Sequence, residues 1–388
     1  MHFDYFQPTN IRFGCGRIAE AGDVVRGLGR RCLLVTVPLF EAIEPAVEKV
    51  KRSLQGAGVE VTHFDGVTPN PTVDSITVGA QIARDLGADV VLGLGGGSSM
   101  DSAKAIAVEA THKGTCWDYR WCSETQPTEM TLPVVAVSTT SGTGSHVTQV
   151  AVITNSERRD KSAIYNPIVY PKTAIVDPDL MRTVPEHVTA STGFDAFTHS
   201  FETFIHTKAS PYTDMLAKEA MRLIVENLPA AVSDGSNLEA RTAMAWADTL
   251  AGLCIANAGV TLPHGIGMAI SGMWPHVMHG ESLAVTYPSF TRYTCSHAAE
   301  KFAAMGRILN PGLAAKSDEE AANEACGELD RFLQKIGMWL SLKGLDIPED
   351  ELAALGKQCM VLPDYQANPK VATLEEIMGI LQESYHRV

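Results

Sequence analysis

Short apolar runs alternate with longer stretches of helical period through the first half of the chain. Residues 32–37, 59–64 and 89–94 predict buried strands, and 40–55 and 73–86 predict the helices between them. This alternation is the pattern of a parallel sheet with crossover helices. Residues 133–137, 150–153 and 173–176 continue the strand signals, whereas beyond Pro185 helical periods dominate, as at 214–226, 238–257 and 319–336. The expected organisation is an α/β domain over 1–180 and a helical domain over 181–388, with no repeat or long linker and with a cleft between the two.

Two small-residue loops interrupt the strand pattern. Gly95, Gly96, Gly97, Ser98 and Ser99 fall between a predicted strand and the good helix formers from Met100, Asp101 and Ser102 onward. Residues without a Cβ let backbone N–H groups approach an anion at the positive end of a helix, so a pyrophosphate is the expected occupant. Thr139, Thr140, Thr143 and Ser145 follow the strand at 133–137 with hydroxyls and exposed amides. Two such loops at strand ends point to a dinucleotide, although the run is not the GxGxxG fingerprint.

Asp195 and His199 stand four residues apart, which on a helix puts a carboxylate and an imidazole on one face. His264, His276 and His279 lie in a Gly-rich stretch expected to be helix-poor, and on spacing alone either of the last two completes a set of three imidazoles and one carboxylate. Such a set suits a divalent transition metal with an open coordination position.

Charge narrows the function classes. The 388 residues carry 31 Lys plus Arg against 45 Asp plus Glu, a net charge of −14, and show no basic stripe, which argues against nucleic-acid binding. No apolar run approaches the roughly 20 residues of a membrane span, and the amino end lacks the form of a signal peptide. Eight scattered cysteines without a CxxC pair read as reduced thiols, so a cytoplasmic setting is expected.

The motifs together resemble the iron-dependent (group III) alcohol dehydrogenase family. The resemblance rests on Thr68-Pro69-Asn70-Pro71-Thr72, Gly95 to Lys104, Thr139 to Ser145, Asp177-Pro178, Gly193-Phe194-Asp195-Ala196 with His199 and Glu202, Pro263-His264, His279-Gly280 and Asn368-Pro369-Lys370, in family order. It implies a dehydroquinate synthase-like fold: an α/β amino-terminal dinucleotide-binding domain followed by an all-helical carboxy-terminal domain holding metal and substrate. It implies Asp195, His199, His264 and His279 as catalytic metal ligands, with Gly95, Gly96, Gly97, Ser98, Ser99, Asp101, Thr139, Thr140 and Thr143 as the cofactor-binding set. The implied cofactors are NAD, with NADP admitted, and Fe(II) or another divalent ion such as Zn(II). A small alcohol or aldehyde is the implied substrate, and a homo-oligomer the implied assembly.

Three departures from the family pattern bear on the chemistry. Met268 stands where many members have a histidine beside the substrate, and His146 replaces a glutamate after the second loop. Thr36-Val37-Pro38 lacks the acidic residue that in many NAD-using members would repel a 2′-phosphate. The expected reaction is reversible hydride transfer between an alcohol carbon and nicotinamide, assisted by the ion. The alternatives are a metal-independent reductase resembling maleylacetate reductases, a dehydroquinate-synthase-like lyase that regenerates its cofactor, and a non-catalytic sensor.

Overall fold

The buried runs of the first half build a parallel sheet. In the computed structural model, which describes residues 2–387, the strands are β1 (Asn10–Phe13), β2 (Arg31–Val35), β3 (Glu60–Phe64), β4 (Val90–Gly95), β5 (Val134–Ser138), β6 (Val150–Asn155), β7 (Asp160–Tyr165) and β8 (Thr173–Val176). Six of them form one sheet in the order β1-β8-β5-β4-β2-β3, with every pairing parallel, and β6 and β7 form a separate antiparallel hairpin. Helices α1 (Ala21–Arg26), α2 (Glu44–Gly56), α3 (Val73–Leu86) and α4 (Gly97–Glu109) make the crossovers.

Strand composition explains why both faces are covered. Leu33, Val35 and Val91 pack into one apolar cluster, while Cys32, Leu34, Val90 and Leu92 pack into another, so successive residues feed opposite faces of a doubly covered sheet. The chain runs outward from β2 to β3 and then returns to lay β4 on the other side of β2. That reversal makes the carboxyl ends of β2 and β4 the topological switch point, where open α/β sheets bind ligands. The expected strands at 32–37, 59–64, 89–94, 133–137 and 173–176 all appear within a few residues, whereas β1 and β7 carried too little apolar character to be read.

Contacts divide the chain into two units, the first being Phe6–Val184 with Gly235–Ala245. The second segment belongs there because the buried Arg241 guanidinium donates to the carbonyls of Gly235 and Val184, each at 2.9 Å. The other unit includes Pro185–Asp234 and the chain from Trp246 on. The helices beyond Pro185 are α5 (Glu186–Ile205), α6 (Pro211–Ser233), α7 (Leu238–Asn257), α8 (Leu262–Met273), α9 (His279–Ala284), α10 (Tyr287–Thr294), α11 (Ala299–Leu309), α12 (Asp318–Lys335), α13 (Leu352–Gln358) and α14 (Leu374–Tyr385). Nearly all of α5 is buried, with Phe194 and Phe201 against Tyr287 and Phe201 edge-on to Phe302, as befits a helix enclosed by others.

The stretch around His264 and His279 corrects the sequence expectation, since it is helical as α8 and α9 and not helix-poor. Its glycines serve close packing: a Cβ on Gly267 would lie 2.9 Å from a Leu283 methyl, and one on Gly280 would lie 2.0 Å from the Ser191 carbonyl oxygen. Burial of such a glycine face outweighs the low intrinsic helix propensity. No single helix among the described residues is long and apolar enough to cross a membrane.

His146, in the turn after the second loop, is wholly buried, and burial followed by the nearby Lys104 charge holds its pKa down at about 3, against an ordinary 6.5. The unfolded chain therefore takes up this proton first, and stability falls as pH drops from 6.5 towards 3. Loss of up to about 1.4 kcal/mol per pH unit is expected from this group. His146→Gln is expected to flatten the fall in urea midpoint between pH 7 and pH 5, and an unchanged slope would contradict the assignment.

Candidate functional site

Helix geometry gathers the predicted metal donors. Asp195 and His199 occupy successive turns of α5, His264 lies in the first turn of α8, and His279 opens α9. The Nε2 atoms of His199, His264 and His279 lie 3.6, 3.8 and 3.8 Å from Asp195 Oδ1. These spacings are longer than hydrogen bonds, and they approach the separation of ~3.3–3.5 Å between donors held ~2.0–2.1 Å from one tetrahedral ion. Donor atoms of Asp195, His199 and His264 lie within 4.8 Å of one another, and all three residues are buried. The His199 and His264 rings stack with centroids 4.8 Å apart, while His279, 26% exposed at its side chain, meets His264 edge-on at 5.4 Å.

Placement separates the two histidines that spacing left equivalent. His276 is exposed, and its Nε2 lies 3.1 Å from the Leu345 carbonyl, so it is engaged away from the cluster. Close packing holds His279 in its place through the contact of Gly280 with α5. Gly280→Ala would force a methyl onto the Ser191 carbonyl, 2.0 Å away, and push α9 off α5. A destabilisation of about 1–3 kcal/mol is expected, together with loss of bound metal. Thermal unfolding and metal content check this outcome, and a fully metallated variant of parental stability would contradict it.

Glu202, two turns along α5 from Asp195, is fully buried. It accepts from Thr261 N–H at 2.8 Å and lies 2.8 Å from His264 Nδ1. Burial pushes its carboxyl well above the ordinary value, against the pull of the Thr261 and His264 hydrogen bonds. Burial likewise raises the Tyr287 phenol, helped by the charges of Glu202 and Asp195, and lifts Asp364 to about 7, helped by Glu202. One carboxylate, Asp195, and the three imidazoles of His199, His264 and His279 form a donor set suited to a divalent transition ion, with Glu202 behind His264 and bonded to it.

The predicted cofactor loops also come together. Gly95 ends β4 at φ +148°, a conformation side chains rarely adopt, and Gly96 caps α4 without a side-chain bond. Gly97, Ser98 and Ser99 already belong to the first turn of α4, so the helix starts earlier than the sequence suggested and its amino end sits at the glycine run. Thr139 N–H donates to Gly95 O at 3.0 Å. Cβ atoms on Gly96 and Gly97 would meet Thr140 and Thr143 at 3.2 and 2.6 Å, which makes the two loops one surface.

Asp101 is placed differently from its neighbours. Its oxygens accept from Ser145 Oγ at 2.6 Å and from Val152 N–H at 3.1 Å, inside the protein. Lys104, missed by the sequence reading as a structural centre, has no exposed surface and donates to the carbonyls of Ser145, Thr148 and Val150 at 2.7, 3.0 and 2.6 Å. Its position one turn after Asp101 on a glycine-led helix was the available signal. At the other strand of the switch point, Thr36 Oγ1 and His63 Nε2 lie 2.8 Å apart, and no carboxylate occupies positions 36–38.

Comparison with known proteins matches both halves of this arrangement. The profile described as iron-containing alcohol dehydrogenase covers residues 8–178, and that of the Fe-containing alcohol dehydrogenase family, C-terminal, covers residues 189–385. The chain is 35% identical over 385 residues to 1,3-propanediol dehydrogenase of Klebsiella pneumoniae, covering 99% of each. It is 32% identical over 381 residues to NAD-dependent methanol dehydrogenase of Bacillus methanolicus, covering 98% of this chain and 99% of that one. A solved archaeal halo-thermophilic alcohol dehydrogenase from a Red Sea brine pool superposes with a TM-score of 0.94 at 35% identity, with 99% of each chain covered. With both profiles matched in order along a shared fold, the chain belongs to the iron-containing alcohol dehydrogenase family.

Proposed function

We propose that this chain interconverts small alcohols and aldehydes with NAD as hydride carrier, using a divalent ion held by Asp195, His199, His264 and His279. The observation that carries the ligand set is the convergence of three imidazole Nε2 atoms at 3.6–3.8 Å on one carboxylate oxygen. When bound, such an ion supplies Lewis acidity, lowering the proton affinity of an alcohol and polarising an aldehyde carbonyl, while nicotinamide supplies the hydride exchange.

The chain's own residues do the rest. Asp195 contributes negative charge, and the imidazoles, neutral at their donor nitrogens, set the directions of approach. The backbone amides at the amino end of α4 and the hydroxyls of Thr139, Thr140 and Thr143 bind the pyrophosphate of the cofactor. Met268, four residues after His264 on α8 and 9% exposed, presents a thioether on the face that carries this ligand. A thioether moves no proton and favours an apolar alcohol over a polyol. The homo-oligomer implied by the family resemblance and the cytoplasmic setting suggested by the scattered thiols belong to the same reading.

An absorbance assay at the nicotinamide band, with a panel of short alcohols and aldehydes and with NAD and NADP in turn, tests this function. Net NADH accumulation with alcohols, lost on chelation and restored by a divalent ion, is expected. The absence of a carboxylate at positions 36–38 leads to measurable turnover with NADP as well. Chelator-resistant turnover or no net cofactor reduction would overturn the proposal.

A further inference from the structure

We propose that Glu202 is a positioning residue for the metal centre, whose carboxylate fixes the tautomer and ring orientation of His264 so that its Nε2 lone pair faces the ion. The inference rests on the reading of His264 as a metal ligand and extends it to a residue that is not itself one.

Placement on α5 comes first. Glu202 follows Asp195 by seven residues, two helical turns, so the helix that carries Asp195 and His199 also aims this carboxylate across towards α8. Its side chain has no exposed surface, and both of its oxygens are engaged. Oε1 lies 2.8 Å from His264 Nδ1, and Oε2 accepts from Thr261 N–H at 2.8 Å and from Thr261 Oγ1 at 3.3 Å. Thr261 is the residue that caps the start of α8, and His264 stands in the first turn of that helix. One carboxylate therefore holds both the beginning of α8 and the imidazole borne by its first turn.

The tautomer follows from the chemistry of the two groups. An ionised carboxylate only accepts, so with Glu202 ionised, as it would be behind a bound dication, Nδ1 carries the proton and Nε2 presents a lone pair. The opposite tautomer would set two acceptors against each other at 2.8 Å and turn an N–H towards Asp195 Oδ1 and the other donors. Ring rotation is restrained as well, because His264 stacks on His199 at 4.8 Å with 23° between the planes. A buried carboxylate paired with the distal nitrogen of an imidazole also raises the basicity of the donor nitrogen, an effect whose removal weakens metal binding about 10–100-fold.

Glu202→Gln keeps the volume and removes the charge, so a packing role alone would leave metal binding unchanged. Metal-free parent and E202Q proteins are titrated with zinc against a chromophoric chelator, and the absorption bands of the cobalt(II)-loaded forms are compared. E202Q is expected to bind zinc about 10–100-fold more weakly and to show altered cobalt bands, with unchanged circular dichroism. Should E202Q fail to fold, nitrogen-15 NMR of histidine-labelled zinc-loaded parent reads the tautomer directly, and protonation of His264 at Nδ1 is expected. Equal zinc affinity in E202Q and parent, or protonation of His264 at Nε2, would overturn the role of Glu202 alone. A parent that binds no zinc would overturn the ligand reading beneath it, and this inference with that reading.

Discussion

Asp195→Ala is expected to lower kcat/KM for alcohol oxidation by about 10³-fold and to leave the purified protein nearly free of metal. The carboxylate is the common neighbour of all three imidazoles, at 3.6–3.8 Å, and it is the only anionic member of the proposed ligand set. Without it three neutral nitrogens face a dication in a buried setting, and the affinity that charge supplied is lost. Lewis-acid stabilisation of several kcal/mol, at about 1.4 kcal/mol per factor of ten in rate, sets the size of the effect. The dinucleotide loops belong to the other unit, so NAD affinity is expected to stay within a few-fold of the parent by fluorescence titration. Undiminished turnover in Asp195→Ala would remove this residue from the site.

Lys104→Met is expected to give the largest stability loss, about 3–5 kcal/mol in urea unfolding. The ammonium is fully buried and donates to three backbone carbonyls and to Ser145 Oγ, which in turn donates to Asp101. Methionine fills similar space but leaves those carbonyls without their donor and removes the cation 3.9 Å from Asp101 in the parent. Burial already works against the charge, holding the Lys104 pKa down at about 8, and the loss on substitution reflects the acceptors left behind. Because Ser145 closes the second cofactor loop, weaker NAD binding should accompany the destabilisation. A loss below about 1 kcal/mol would show that the neighbouring groups find other partners.

The sequence made some of these relations legible and hid others for physical reasons. Strands β2, β4 and β5 were readable because they are buried on both faces and appear as continuous apolar runs. β1, with the sequence NIRF, and β7, with DKSAIY, are short and polar, and their pairing is a property of the assembled sheet or hairpin. Helix α8 was hidden because Gly265, Gly267 and Gly272 lower helix propensity, whereas the helix is stabilised by what packs against its small-residue face.

The candidate site divides in the same way. Asp195 and His199 were visible at one-turn spacing on a single helix, but the approach of His264 and His279 is a long-range event that spacing cannot encode. His276 and His279 are equivalent on spacing alone, and only the family resemblance favoured His279; in the structure His276 is exposed and engaged with Leu345. Asp101, expected among the cofactor-binding residues, directs both oxygens to Ser145 and Val152, a partnership set by the fold of the second loop. Glu202 was noted only as part of a motif, since its partners Thr261 and His264 are about sixty residues away in sequence.

Elemental analysis of freshly purified protein, with turnover followed as the ion is removed and replaced, tests the central claim most directly. One divalent ion per chain, activity that falls in proportion to occupancy on chelation, and recovery on adding iron(II) or zinc(II) are the results expected from the Asp195, His199, His264 and His279 cluster. Full turnover by protein stripped of metal would contradict the account and return the chemistry to side chains alone.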